Sequence, residues 1–372
     1  MLPTSFFVSN ILVQGCWTDI KNNEIIKDLY ASWHDINWGD TYFVLHMPPI
    51  GHYQNVKIPK NIKKLVLSCH IEPIDIAWLR ELALAHPDCQ ICLLFDGLYA
   101  PVSSYYPANV KIYCWLSWHF QLSRMFKSFG HRPNIPRPKF WASSLCNRST
   151  QFKLYVTAYC VNKNYLDRML VSHHGIVDKF SDIDHLRTGH CLLDHLADII
   201  DKLPIIKIDN TSRRDRDFVN ADNRNWNFPQ HTECLFNFTN EGFHYSLKMT
   251  QEGDVIWPGP DLSEKTFKAL LAGQAILPVG QWRSIAALRD LGFRFDYGLD
   301  LDYDELPGDI DRILACLNVI DQIMTMPLDD LYEQTRGSST YNAEWAVSAD
   351  FGQKCDHINR QSLSQIVRWL SI

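Results

Sequence analysis

The chain contains no Gly-x-Gly-x-x-Gly run and no Walker-type phosphate loop, which disfavours a nicotinamide enzyme or an NTPase. No uninterrupted apolar stretch reaches the roughly 18 residues that a membrane span requires, so no span is expected. The opening residues, Met1 to Phe7, lack the basic start and small-residue cleavage site of a secretory signal. Eleven cysteines are scattered without a repeated spacing, as reduced intracellular thiols would be. Asn-X-Ser/Thr triplets begin at Asn147, Asn210 and Asn237; without a secretory route they imply no glycosylation. Internal repeats and low-complexity tracts are also missing. These absences point to a cytoplasmic protein.

What is present has the composition of a folded chain. With 46% hydrophobic and 21% charged residues, disorder is disfavoured. A length of 372 residues exceeds one ordinary core and suits two lobes of about 150 residues. The net charge of −6 weighs against a protein that coats polyanions, which is usually basic. A local basic groove is still compatible with it. Lys57, Lys60, Lys63 and Lys64, then Arg124, Lys127, Arg132, Arg137 and Lys139, are the basic pieces, and their plainer reading is solubilising surface.

Short apolar runs alternate with helical stretches over the first ~140 residues. Strands are expected at Asn10–Val13, Tyr42–Leu45, Lys64–Leu67, Cys89–Phe95 and Val110–Cys114. A helix is expected over Asp75–Ala85, with Ile76, Leu79, Leu82 and Leu84 apolar, and another near Trp118–Phe129. This order implies a parallel sheet with crossover helices. Three prolines within Gly130–Pro138 mark a linker. A second alternating segment follows, with strands near Lys139–Ser144, Met169–Ser172, Ile205–Ile208, Leu235–Thr239 and Ala275–Val279. Residues 309–372 read as mostly helical.

The densest signal is the run Asp261–Gly280. Ser263 is a good N-cap, Phe267, Leu270 and Leu271 form an apolar stripe, and Gly273 ends the helix. Ala275 to Val279 then reads as an interior parallel strand. A helix N-terminus suits a phosphate, and the Glu264 carboxylate could accept hydrogen bonds from sugar hydroxyls. A donor with pyrophosphate and ribose would use both.

This run resembles the donor-binding motif of nucleotide-sugar glycosyltransferases, closest to α1,3-fucosyltransferases and phage-encoded relatives. The strand Cys234–Asn240 before Glu241, the turn Leu291-Gly292-Phe293, the acidic Asp300, Asp302, Tyr303, Asp304 and Glu305, and Cys146-Asn147-Arg148 are similar to further parts of the pattern. The resemblance spans roughly residues 137–325. It implies a GT-B architecture, two Rossmann-like α/β lobes with the active site in the cleft at the carboxyl ends of the strands. Residues 1–136 would be the acceptor lobe and 137–350 the donor lobe. A helix over 351–372 would cross back onto the first lobe. By resemblance Glu264 engages the ribose and Lys265 the pyrophosphate.

Other residues join this site as candidates. Lys268 lies one turn beyond Lys265 and could reach a phosphate, although a solvated charge is the plainer reading. Asn147 and Arg148 follow a strand, and Arg148 could clamp a pyrophosphate with its planar fork. The relatives continue with arginines and a histidine, whereas here Ser149, Thr150, Gln151, Phe152 and Lys153 follow; Lys153 is a substitute cation. Glu241 ends an apolar strand, facing a ligand or capping a turn.

An inverting transfer needs a general base for the acceptor hydroxyl. Asp96 follows Leu93-Leu94-Phe95 directly, and Leu94–Pro101 resembles the base-bearing strand end of phage DNA β-glucosyltransferases. The alternative is a simple Asp96-Gly97 turn. His70 is the rival base. His185, His190 and His195 are spaced by five, about 140° apart on a helix, and with His173 and His174 they lack a zinc pattern. The aspartates at 296, 300, 302 and 304 could hold a divalent cation with the donor, but a solvated loop is expected. Trp115, Trp118, Trp141 and Trp282 could stack a sugar or a base.

The expectation is therefore a glycosyltransferase using a nucleotide-diphosphate sugar as substrate, with no tightly bound cofactor and no structural metal. Phage-type resemblance implies a hydroxymethylated pyrimidine in DNA as acceptor. A saccharide-directed enzyme resembling fucosyltransferases and a non-catalytic sugar-nucleotide-binding protein are the alternatives.

Overall fold

The computed structural model of the protein describes residues 42–46, 63–69, 74–96, 107–115, 137–146, 151–173, 205–206, 229–240, 247–250, 253–256, 260, 262 and 264–371. The strand expected at 10–13, the helix at 118–129 and most of the proline linker lie outside these residues.

In chain order the first elements are β1 (Tyr42–His46), β2 (Lys64–Cys69), β3 (Ile74–Asp75), α1 (Ile76–Ala85), β4 (Gln90–Asp96) and β5 (Val110–Trp115). Next come β6 (Phe140–Cys146), α2 (Gln151–Asn162), β7 (Met169–His173), β8 (Ile205–Ile206), the single turn α3 (Pro229–Thr232) and β9 (Cys234–Asn240). A hairpin β10 (Leu247–Thr250) and β11 (Gly253–Ile256) precedes α4 (Glu264–Leu271), β12 (Ala275–Val279) and α5 (Ser284–Asp290). Three long helices follow: α6 (Asp309–Thr325), α7 (Leu328–Val347) and α8 (Ala349–Ser371). The protein is mixed α/β with parallel sheets.

Two compact units divide these elements. Unit 1 holds residues 1–121, 246–260 and 352–372, and unit 2 holds 122–245 and 261–351. In unit 1, β1, β2, β4 and β5 form a parallel sheet in that order. Leu65, Leu67, Ile91 and Leu93 from the strands meet Leu79, Leu82 and Ala83 of α1 in one core. Leu84, expected on the apolar stripe, is 78% exposed. It lies five residues from Leu79, about 140° around the helix, so Ala83 takes the inward place. The hairpin β10–β11, absent from the sequence reading, pairs antiparallel with β3. The far part of α8 belongs to this unit: Ser362 Oγ donates to the Cys114 carbonyl. Lys64 Nζ donates to the Trp369 carbonyl at 3.1 Å and lies over its ring.

Unit 2 is built on a five-stranded sheet in the order β12-β9-β6-β7-β8. The chain lays β7 on one side of β6 and then returns to place β9 on the other. This is the doubly wound order, with its switch point between β6 and β9. All neighbours are parallel except β8, which runs antiparallel to β7. Among the described residues β12 is an edge strand of this sheet, whereas its apolar run predicts an interior one. Pro278, which has no N–H to give, fits an edge. Two buried tyrosines cover that edge: Ile276 N–H donates to Tyr297 Oη at 3.4 Å, and Tyr303 Oη donates to the Pro278 carbonyl at 2.7 Å. Such cover blunts an edge that would otherwise pair with another chain.

The helical end of the chain is as expected. Pro327 separates α6 from α7. Ser348 Oγ caps α8 by accepting the Phe351 N–H at 3.1 Å.

Candidate functional site

The described pairing of β6 with β9 runs from Phe140↔Cys234 to Ser143↔Asn237. Each strand continues three residues further, to Cys146 and Asn240. At the last pair the two strands are tied by side chains, Asn237 Nδ2 donating to Ser143 Oγ at 3.2 Å and Ser143 Oγ to the Phe236 carbonyl at 3.5 Å. The carboxyl end of a switch point is where an open α/β sheet binds ligands.

Two helices start at this edge. α2 follows β6 after four residues, so its first turn lies at the carboxyl end of the strand. Lys153, its third residue, is only 5% exposed among the apolar Leu154, Tyr155 and Val156. α4 runs opposite to β12, which it enters through Gly273. That turn is a Schellman motif: Gly273 has φ 72°, its N–H reaches the Leu270 carbonyl and the Gln274 N–H reaches the Ala269 carbonyl, both at 3.0 Å. The Gln274 amide fixes the turn further, donating to the Gln230 and Cys234 carbonyls at 2.7 and 3.1 Å and meeting His231 Nδ1 at 3.0 Å. With Phe267, Leu270 and Leu271 fully buried, the apolar stripe faces inward as its spacing predicts. The first turn of α4, which carries half-buried Lys265, is thereby held at the sheet's carboxyl edge.

Lys153 and Lys265 both act electrostatically on Cys146, the last residue of β6. Burial pushes the Cys146 thiol up, and the Lys153 ammonium, a Ser144 hydrogen bond and the Lys265 ammonium each pull it down. Ammonium groups gathered at helix N-termini form an anion site, and a phosphate or diphosphate is the anion whose charge they match.

The loop after β12 is more elaborate than a surface turn. Arg283 adopts left-handed backbone, φ 64° and ψ 27°, and its N–H donates to the Asp304 carbonyl at 2.9 Å. Asp304 Oδ2 accepts the Ala286 N–H at 2.9 Å and so caps α5 from outside. Arg312, 1% exposed, donates to the carbonyls of Gly280 at 3.4 Å and Leu306 at 2.8 Å. The expectation of a solvated acidic loop is thus corrected at Asp304, which is 3% exposed. Burial pushes its carboxyl up to about 6, against the pull of the Ile285 and Ala286 amides. Asp296 and Asp300 are exposed.

The sequence candidates fall as follows. Glu264 is the first residue of α4 and Asp96 the last of β4; their side chains lie outside the described residues. Lys265 and Lys268 are half-buried in α4. His70, Asn147, Arg148 and Glu241, with Trp118, His174, His185, His190 and His195, lie outside the described residues. His173 is buried at the end of β7, beside Cys146 in the sheet register. Among the described residues no group of three or more His, Cys, Asp or Glu side chains could hold a metal ion. Eight of the described cysteines, Cys69 not among them, are free thiols. No described helix is long and apolar enough to cross a membrane. Trp141 is structural, its Nε1 donating to the Met326 carbonyl at 2.8 Å with Arg168 over its ring. The residue that sequence reasoning missed is Arg312, and for Asp304 it missed the burial.

Comparison with protein-family models, curated proteins and solved structures gives no match for this chain.

Proposed function

We propose that unit 2 binds the diphosphate of a nucleotide sugar at the carboxyl edge of β6 and β9, and that the protein is a GT-B-type glycosyltransferase. What supports this reading is that Lys153 and Lys265, from the first turns of two helices at the carboxyl edge of a doubly wound sheet, both act electrostatically on Cys146 at the end of β6. In this scheme Lys153 and Lys265 hold the diphosphate and stabilise the charge it acquires on leaving. Arg148 adds a planar fork and Glu264 takes the ribose hydroxyls. Unit 1 supplies Asp96, at the carboxyl end of a parallel strand, as the base, with His70 as its rival. Asp96 removes the acceptor hydroxyl proton, and the acceptor oxygen bonds to the anomeric carbon. The bond from that carbon to the diphosphate breaks, and its electron pair leaves with the diphosphate.

The acceptor this reading takes is a hydroxymethylated pyrimidine in DNA, which must leave the stack to react. The net charge of −6 favours the second reading, a saccharide acceptor. The two differ in salt dependence, steep for DNA and slight for an uncharged saccharide.

A thermal-shift panel of UDP, GDP, CMP and dTDP sugars, with and without magnesium, tests the donor half. A ligand at 100 times its dissociation constant stabilises the fold by about 2.7 kcal/mol. One selective hit is expected. A flat panel would sink the transferase reading and its non-catalytic variant alike.

A further inference from the structure

We propose that Trp282 and Arg283, in the loop leaving β12, form the platform on which the base of a nucleoside diphosphate stacks. This inference rests on the donor-site reading and adds its base-binding half. It starts from position. β12 lies two strands from β6 in the sheet, about 10 Å at the usual strand spacing. A nucleoside diphosphate spans that separation, with phosphates over the end of β6 and its base over the end of β12.

The loop is built at a cost that a connecting turn does not need. Arg283 is a non-glycine residue at φ 64°. Beneath it lie two charged side chains almost wholly out of water, Asp304 and Arg312. Among the described residues, Asp304 Oδ1 has no hydrogen-bond partner. Left-handed backbone and buried charge persist only where their surroundings over-determine them, and they gather at ligand clamps. Here they fix the path of Gly280 to Arg283.

The side chains so presented suit an aromatic, anionic ligand. Trp282 is half-buried, and its Nε1 donates to the Glu305 carbonyl at 3.3 Å, which sets the ring plane. The Arg283 guanidinium stands 5.8 Å from the ring centroid and has a side chain 37% exposed. A fixed indole face gives a base its stacking surface, and the neighbouring cation adds attraction to the ring and to phosphate.

The test titrates the full chain with GDP, UDP and inorganic pyrophosphate, using wild type, Trp282→Ala, Trp282→Leu and Trp282→Phe. Wild type should bind one of the nucleotides about tenfold or more tighter than pyrophosphate. Trp282→Ala and Trp282→Leu should lose that margin and keep their pyrophosphate affinity, which also reports a folded site. Trp282→Phe should retain most of it. An undiminished margin in Trp282→Ala overturns the platform and leaves the phosphate site standing, as does a wild type that prefers neither nucleotide to pyrophosphate. Loss of pyrophosphate binding in both the Ala and Leu variants would make Trp282 a support of the phosphate site, which also overturns it. If wild type binds none of the three, the donor-site reading falls and the platform falls with it.

Discussion

Asp304 caps helix α5 through the backbone of Ala286, 18 residues earlier, with its Oδ2 2.9 Å from that N–H. The cap is buried, and this gives stability a particular pH dependence. The carboxyl titrates at about 6 in the fold against a reference of 3.8. Between those values the folded state binds more protons than the unfolded one. Stability from this group is therefore full below about pH 4 and is lost as pH rises through 6, a difference of about 3 kcal/mol. Asp304→Asn should remove this term, so its advantage over wild type should grow from pH 4 to 7 in urea unfolding. Asp321 acts the other way. Its own burial raises it, but hydrogen bonds from Tyr159, Tyr165 and Lys163 outweigh that and hold it below the ordinary carboxylate value. Its contribution is lost on acidification in both proteins, so the comparison isolates Asp304.

Gly292→Ala should destabilise unit 2 more than Gly298→Ala does. Gly292 has φ 99°, and a Cβ there would lie 2.8 Å from the Trp345 indole, which is pinned by its 3.0 Å bond to the Leu291 carbonyl. Gly298, at φ 62°, would meet only the mobile amide end of Gln334. A loss of about 2–4 kcal/mol is expected at Gly292, combining backbone strain and overpacking. At Gly298 about 1 kcal/mol is expected, for the backbone alone. Thermal melts of the two variants check the order.

Lys153→Met, which keeps an unbranched stem in a buried place, should fold and lose pyrophosphate affinity by about tenfold or more. Lys265→Met should do the same. The double variant should lose little more than either single one if both grip one phosphate group. Calorimetric titration with inorganic pyrophosphate distinguishes these outcomes. Unchanged affinity in both single variants would remove the phosphate site.

Asp96→Asn should bind a nucleotide sugar as wild type does and lose transfer by about 100-fold or more, as expected when a general base is removed. Product formation in a single-turnover assay is the readout. Retained transfer would pass the role of base to His70.

Much of the fold is visible in the sequence because its strands are apolar runs set off by turn residues, as with Lys64–Cys69, Phe140–Cys146 and Ala275–Val279. The hairpin Leu247–Ile256 carries no such run, since Lys248, Thr250, Gln251, Glu252 and Asp254 break its hydrophobic pattern. Pro278 was the available signal that β12 lies at an edge, and it is masked by the apolar residues around it. Asp304 sits among Asp300, Asp302 and Glu305, a stretch that local reading assigns to solvent. Its burial is decided by an amide at residue 286. The same holds for Lys153, whose neighbours predict helix and core, whereas its influence, with that of Lys265, on the end of β6 depends on the strand order. Pairings of this range are set by topology, which short-range periodicity does not encode.

The order in which the chain is made bears on unit 1. Its four-stranded parallel sheet is complete in sequence by Trp115, but the residues that bind Lys64 and Cys114 from α8, Trp369 and Ser362, come roughly 250 residues later. At about 5–20 residues per second of synthesis, that interval is roughly 10–50 s. Unit 2 lies almost wholly within it. During translation the middle of the chain can therefore close first, before Ser362 and Trp369 are available to the opening sheet.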